Sequence, residues 1–199
     1  MPGILLVVSG PSGVGKGTVI EHMMESGAAG RVCRFSVSMT TRAPRPGEIQ
    51  GKHYFFADRE SFLRDAEHGL LLEYAEYNGN YYGTPLEPVK QSVSSGECII
   101  LDIETQGMRQ TVEKMPEAVT VFIAPPSIGV LEKRLRGRGT ETEDSILRRL
   151  DAARRECERM GEYQYKIVND SAERAAQDLA AVIRAEYLRT YRNMEVNEQ

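Results

Sequence analysis

The stretch ILLVVSGPSGVGKGT, residues 4–18, decides the fold class. Ile4 to Val8 form an unbroken apolar run, far too short to span a membrane, that reads as a strand. GPSGVGKGT follows at once and supplies G-x-x-x-x-G-K between a strand and a helix, the context that gives this spacing its meaning. Such a loop holds phosphates with backbone N–H groups turned into one concavity, and Gly10, Gly13 and Gly15 let the chain close in without a Cβ in the way. A helix opening at Lys16 adds unpaired N–H groups and the positive end of its dipole. Lys16 itself brings a cation to the β and γ phosphates. A glycine-rich turn beside a solvated lysine is the bland alternative, and strand, spacing, lysine and helix together argue against it. The candidate loop is Gly10, Pro11, Ser12, Gly13, Val14, Gly15, Lys16, Gly17 and Thr18. Gly17 stands where the common pattern has Ser or Thr, so no hydroxyl is offered directly to Mg2+ there, and Thr18 is left to reach the phosphates or a metal-bound water.

Outward from this loop, β-rich runs alternate with helical periods. RFSVS (34–38), ECIILDI (97–103), VTVFIA (119–124) and YKIVN (165–169) read as strands, with helices near 16–26, 104–114, 127–137, 142–160 and 171–192. The alternation predicts an α/β fold, a doubly wound parallel sheet covered on both faces. Thr84, Pro85, Glu87 and Gly96 read as the N-cap, first position, third position and stop of a further helix. Residues 39–83 break the rhythm: Pro44, Pro46 and Gly47 mark a loop, YFF (54–56) and a short helix near 59–67 follow, and Asn78-Gly79 marks a hairpin. A single domain over 1–199 is expected, with a core of 1–37 and 84–199, an inserted small mixed α/β binding region over about 38–83, and a helical lid over about 134–150.

With 199 residues, 41% of them apolar and 27% charged, the chain has the balance of one folded core. Its net charge of −4 gives no general attraction to nucleic acid or anionic membranes, and neither is expected as a partner. Cys33, Cys98 and Cys157 are widely spaced among apolar or helical neighbours, which suits reduced thiols in the cytoplasm, and no targeting segment is apparent. His22, His53 and His68 have no ligand spacing, so no direct metal cage is expected.

SVSMTTRAPRPGEIQGKHY, residues 36–54, resembles the GMP-binding signature of guanylate kinases. The likeness continues through ILDIETQG (100–107), IAPPS (123–127), RLRGRGTETEDSILRRL (134–150) and IVND (167–170), in order and over nearly the whole chain. The GKGT order in the loop resembles that of adenylate kinases. This resemblance implies a P-loop nucleoside monophosphate kinase that transfers a phosphoryl group from ATP to GMP, with Mg2+ accompanying ATP. Whether dGMP also serves, and whether the chain forms a homo-oligomer, the sequence leaves open.

The resemblance assigns Arg42, Arg45, Tyr54 and Tyr82 to the monophosphate, and Ser38, Glu73 and Thr84 to the guanine base. The chemistry agrees: two arginines around Pro44 present planar forks to a dianion, and guanine needs a carboxylate facing its N1 and N2 donors and a hydroxyl facing O6. Glu73 alone would read as the polar member of a half-buried strand, and Thr84 has its competing role as a cap. Asp102 ends the run CIILD at the carboxyl end of a parallel strand, where ligands bind in doubly wound sheets, and the resemblance implies a place near both the acceptor and the metal's waters. Glu104 is a weaker companion that could equally begin the next helix. Ile146, Leu150, Ala153, Cys157 and Met160 make one apolar stripe, so Arg149 borders the buried face while Arg148 points away. By resemblance Arg138 lies in a lid over ATP, and with Lys16, Arg45 and Arg149 it would meet the charge of the transferred group. Arg134 and Arg136 carry less weight. Asn169 and Asp170 resemble the adenine-contacting pair, although Asp170 also suits an N-cap with Glu173 three residues on. Two rivals are a kinase for another monophosphate, opposed by Glu73 and Ser38, and a non-catalytic binding module of similar fold, opposed by the full set of arginines.

Overall fold

The structure, a computed structural model, describes residues 2–137 and 142–192. Along the chain run β1 (Ile4–Ser9), α1 (Lys16–Ser26), β2 (Cys33–Phe35), β3 (Met39–Thr40), β4 (Phe55–Phe56), α2 (Arg59–Glu67), β5 (Leu71–Tyr77), β6 (Asn80–Pro85), α3 (Leu86–Ser94), β7 (Cys98–Asp102), α4 (Thr105–Lys114), β8 (Val119–Ala124), α5 (Ile128–Arg136), α6 (Glu143–Glu158), β9 (Tyr165–Val168) and α7 (Ala172–Tyr187).

The parallel sheet expected from the sequence is present, in the order β2-β7-β1-β8-β9. Its three central strands, β7, β1 and β8, are buried at successive positions because both faces are covered. Ile4, Leu6 and Val8 pack with α1 and α7, while Leu5 and Val7 pack with α3 and α4. Each such buried aliphatic side chain contributes about 1.5 to 3 kcal/mol. From β1 the chain goes to one side of the sheet for β2 and β7, then crosses to the other for β8 and β9, so the loop after β1 sits where the winding reverses.

A second sheet, ordered β4-β3-β6-β5, carries the segment that broke the rhythm. Its hairpin turns at Asn78 (φ 49°) and Gly79 (φ 75°), two positive φ values in succession as a type I′ turn requires. Phe62 of α2 is fully buried and stacks on Tyr81 at 5.5 Å, giving this sheet an aromatic core of its own. Leu72 of β5, also fully buried, joins the side chains under α3 and α4 and ties the small sheet to the large one.

One helix start differs from expectation. Thr84 and Pro85 belong to β6, and α3 begins at Leu86 without a side-chain cap. The physical reason is competition: Thr84 pairs with Glu73 along the ladder, and its hydroxyl is drawn to the Glu73 carboxylate instead of to a helix amide. α7 likewise starts one residue later than an Asp170 cap would place it. Ser171 accepts from the Arg174 amide, while Asp170 accepts from the Ser171 amide at 2.7 Å and pairs with Arg174.

Candidate active site

The loop from Gly10 to Gly15 is held in a conformation only its glycines adopt without strain. At Gly10 (φ 152°) a Cβ would fall 2.2 Å from the Ile123 carbonyl oxygen, and Gly15 (φ 96°) occupies the left-handed N-cap of α1. Asn169, buried at the end of β9, donates its amide to the Val14 carbonyl at 2.7 Å. Arg134 of α5 donates to the same carbonyl at 3.2 Å and to that of Asn169 at 2.9 Å, so the loop's outer rim is braced from two elements. Lys16 donates to the Gly10 carbonyl at 2.9 Å and lies 3.6 Å from the Asp102 carboxylate. Burial pushes the Asp102 carboxyl above its usual range and Lys16 opposes this. Arg149 of α6 reaches the loop and donates to the Ser12 hydroxyl at 2.8 Å.

In the small sheet, register brings three polar residues into a row. Met39 pairs with Gly83 and Thr84 with Glu73, and continuing that register one residue before β3 sets Ser38 opposite Thr84. Glu73 is 6% exposed and Thr84 fully buried, and the Thr84 hydroxyl donates to the carboxylate at 2.6 Å. Burial pushes the Glu73 carboxyl up, with the Thr84 hydrogen bond and the Lys114 charge pulling the other way. A buried carboxylate retained against that penalty is unusual in a purely structural strand.

Beside the row, Arg42 stands over the Tyr54 ring at 5.4 Å, and the Tyr54 and Tyr82 rings meet edge-on at 6.3 Å. Glu48 orders this corner: it accepts from the Arg42 guanidinium at 2.8 Å and from the Arg45 amide at 2.7 Å, which together hold its carboxyl down at about 2. The Arg45 side chain is exposed on the same loop. Two residues on from Asp102, a cavity of about 240 Å3 opens between α4 and α6, lined by Glu104, Thr105, Gln106 and Glu156 among others.

The chain that carries these two polar clusters matches a known family over most of its length. The guanylate kinase family model matches residues 3–186. The chain is 49% identical over 198 residues to a guanylate kinase of Streptococcus thermophilus, covering 96% of this chain and 94% of that one. It is 46% identical over 197 residues to a guanylate kinase of Halalkalibacterium halodurans, covering 99% and 95%. The crystal structure of guanylate kinase from Anaplasma phagocytophilum superposes with a TM-score of 0.70 at 36% identity, over 96% of this chain and 89% of that one.

The chain belongs to the guanylate kinase family. Membership makes it an enzyme of the kinase class, and the structure sorts the residues that a guanylate kinase reading singled out. Gly10 to Thr18, Asp102 and Arg149 come together on the loop side, and Ser38, Glu73, Thr84, Arg42, Tyr54 and Tyr82 on the small-sheet side. Arg138 lies outside the described residues. The Asn169 amide nitrogen is engaged with the loop carbonyl. Arg136 pairs with Glu132 and Glu143 on the helix surface.

Sequence reasoning gave no role to Glu48, Gln110 or Lys114, and little to Arg134. Nothing in the spacing of Arg134 and Lys114 marks the carbonyls they meet. Glu48 did carry a signal, an acid one residue past the Pro-Gly turn that follows two arginines. Among the described residues no three His, Cys, Asp or Glu side chains converge as a metal cage, and no helix is long and apolar enough to cross a membrane.

Proposed function

We propose that this chain catalyses ATP + GMP to ADP + GDP, with the phosphate loop as donor site and the Ser38, Thr84, Glu73 row as the reader of guanine. The observation that carries the reading is the buried Glu73 carboxylate, hydrogen-bonded by Thr84 and kept within a sheet that otherwise packs aromatic rings. An ionised carboxylate accepts from both N1–H and N2–H of guanine, where adenine offers no matching pair. Arg42, Arg45, Tyr54 and Tyr82 bind the acceptor phosphate, and Glu48 keeps Arg42 aimed until that dianion arrives.

Phosphoryl transfer passes through a loose transition state that needs alignment and positive charge more than a covalent nucleophile. Lys16 and Arg149 supply charge at the loop, and Arg45 and Arg138 are assigned to the transferred group from the acceptor and lid sides. ATP-using kinases generally need Mg2+, and the donor set here fits a water-mediated ion: Asp102 keeps about a third of its side chain open beside Lys16, and Thr18 is exposed on the first turn of α1. Bound with ATP, Mg2+ supplies further positive charge at the phosphates, and Thr18 and Asp102 are the residues that would hold its waters. Closure of the small sheet and lid around both substrates would keep water from the γ-phosphate. A coupled ADP-release assay with AMP, CMP, UMP, GMP and dGMP tests the assignment. GMP is expected well ahead of AMP, CMP and UMP; a flat panel would overturn it.

A further inference from the structure

The Glu73 carboxylate is bracketed by one face of α4, and the contacts are spaced as a helix spaces them. Gly107, Gln110 and Lys114 stand at i, i+3 and i+7, on one side of the helix that packs against β5. Lys114 donates to the Leu71 carbonyl, two residues before Glu73. Gln110 takes both main-chain groups of Tyr74, the residue after Glu73: its oxygen accepts from the Tyr74 amide at 3.1 Å and its nitrogen donates to the Tyr74 carbonyl at 3.0 Å. The amide side chain thus pairs with β5 as another strand would. One turn before Gln110, Gly107 leaves open the space that the carboxylate enters. A Cβ at Gly107 would lie 2.9 Å from Glu73 Oε2 and 3.2 Å from Ile103 Cδ1.

We propose that Gly107 and Gln110 are positioning residues for guanine recognition, with α4 setting where the Glu73 carboxylate stands. The inference rests on the reading of Glu73 as the base-facing group. It follows from which part yields. The crowding atom is the far end of a flexible side chain, so a methyl at position 107 moves the carboxylate and leaves the helix in place. Alanine also favours the helix over glycine, so the substitution does not threaten the fold. α4 starts directly after β7, and only four residues separate Asp102, which faces Lys16, from Gly107, which faces Glu73. The same short segment therefore fixes the base reader relative to the donor loop.

The experiment measures kcat/KM for GMP and for IMP, which lacks the N2 amino group, together with the ATP KM, in wild type, Gly107→Ala, Gln110→Ala and Glu73→Gln. A displaced carboxylate loses much of a charged hydrogen bond to N2, so Gly107→Ala is expected to lower the GMP-to-IMP ratio by about tenfold with the ATP KM unchanged. Gln110→Ala frees the Tyr74 main chain and should lower the ratio in the same direction. Gly107→Ala combined with Glu73→Asp, which draws the carboxylate back from the methyl, should lose less than the product of the two single losses. If Glu73→Gln lowers the ratio while Gly107→Ala and Gln110→Ala leave it at the wild-type value, the positioning role is overturned. Should Glu73→Gln itself leave the ratio unchanged, the base reading fails, and the positioning inference falls with it.

Discussion

The phosphate loop and the Glu73 row hold their polar groups by different means. In the loop, consecutive residues present main-chain groups, and the conformation comes from glycines at positive φ braced by Asn169 and Arg134. In the row, the working groups are side chains on different strands, brought together by ladder register and one buried hydrogen bond. A backbone site keeps its shape when a neighbouring side chain is lost but depends for catalysis on the cations set beside it. A side-chain site loses its selectivity with any single partner, while the other site continues to bind. The two regions should therefore fail in different kinetic parameters.

The largest effect is expected on the loop side. Lys16→Ala removes a cation held against the loop and should lower kcat by at least about two to three powers of ten, as the loss of a transition-state donor does, with the melting temperature close to wild type. A variant with near-wild-type turnover would break the comparison there. Arg149→Ala comes next. Its guanidinium touches the loop through Ser12, so kcat should fall by about a hundredfold while the GMP KM holds; a pure rise in GMP KM would move Arg149 to the acceptor side. Thr84→Val keeps shape and removes the donor to Glu73. A hydrogen bond to an ionised group is worth about 1.5 to 3 kcal/mol, so kcat/KM for GMP should fall by about tenfold or more with the ATP KM unmoved. An ATP KM that rose with it would show the two regions to be less separable than their construction implies.

The smallest effect is on stability. Burial raises the Glu73 carboxyl above its unfolded value, so the native state holds that proton more tightly than the unfolded chain does. The resulting stabilisation is complete below the unfolded value and is lost as pH rises through the raised native one. At neutral pH the ionised carboxylate therefore destabilises the fold, and Glu73→Gln, which still accepts from Thr84, should melt a few degrees higher than wild type at pH 8. That gap should close as pH falls into the ordinary carboxylate range; a gap that widens on acidification would refute the burial argument.

The same difference explains what the sequence disclosed. The loop was legible because its chemistry is contiguous: strand, glycines, Lys16 and helix stand in one run, and each local rule points the same way. The parallel sheet followed from alternating apolar runs, and the Asn78-Gly79 turn from the two positive φ values it needs. Arg149 was separable from Arg148 because helical periodicity sorts a face. Glu73 and Ser38, by contrast, were bare polar residues until a family resemblance singled them out, since ladder register is a tertiary fact. Thr84 shows the limit most clearly. Thr-Pro-x-Glu is a sound local signal for a helix start, and it lost to a buried carboxylate eleven residues upstream that no local rule contains. Gln110 and Lys114 were invisible for the same reason, as their partners are main-chain groups of another element.

Most direct for the central claim is the measurement of kcat/KM for GMP and AMP in wild type and Glu73→Gln, with melting curves alongside. The substitution keeps size and places an amide donor where guanine also donates. The account predicts a loss for GMP of about one to three powers of ten, an unchanged ATP KM and a narrowed preference for GMP over AMP. A well-folded Glu73→Gln enzyme with the wild-type GMP-to-AMP ratio would contradict it.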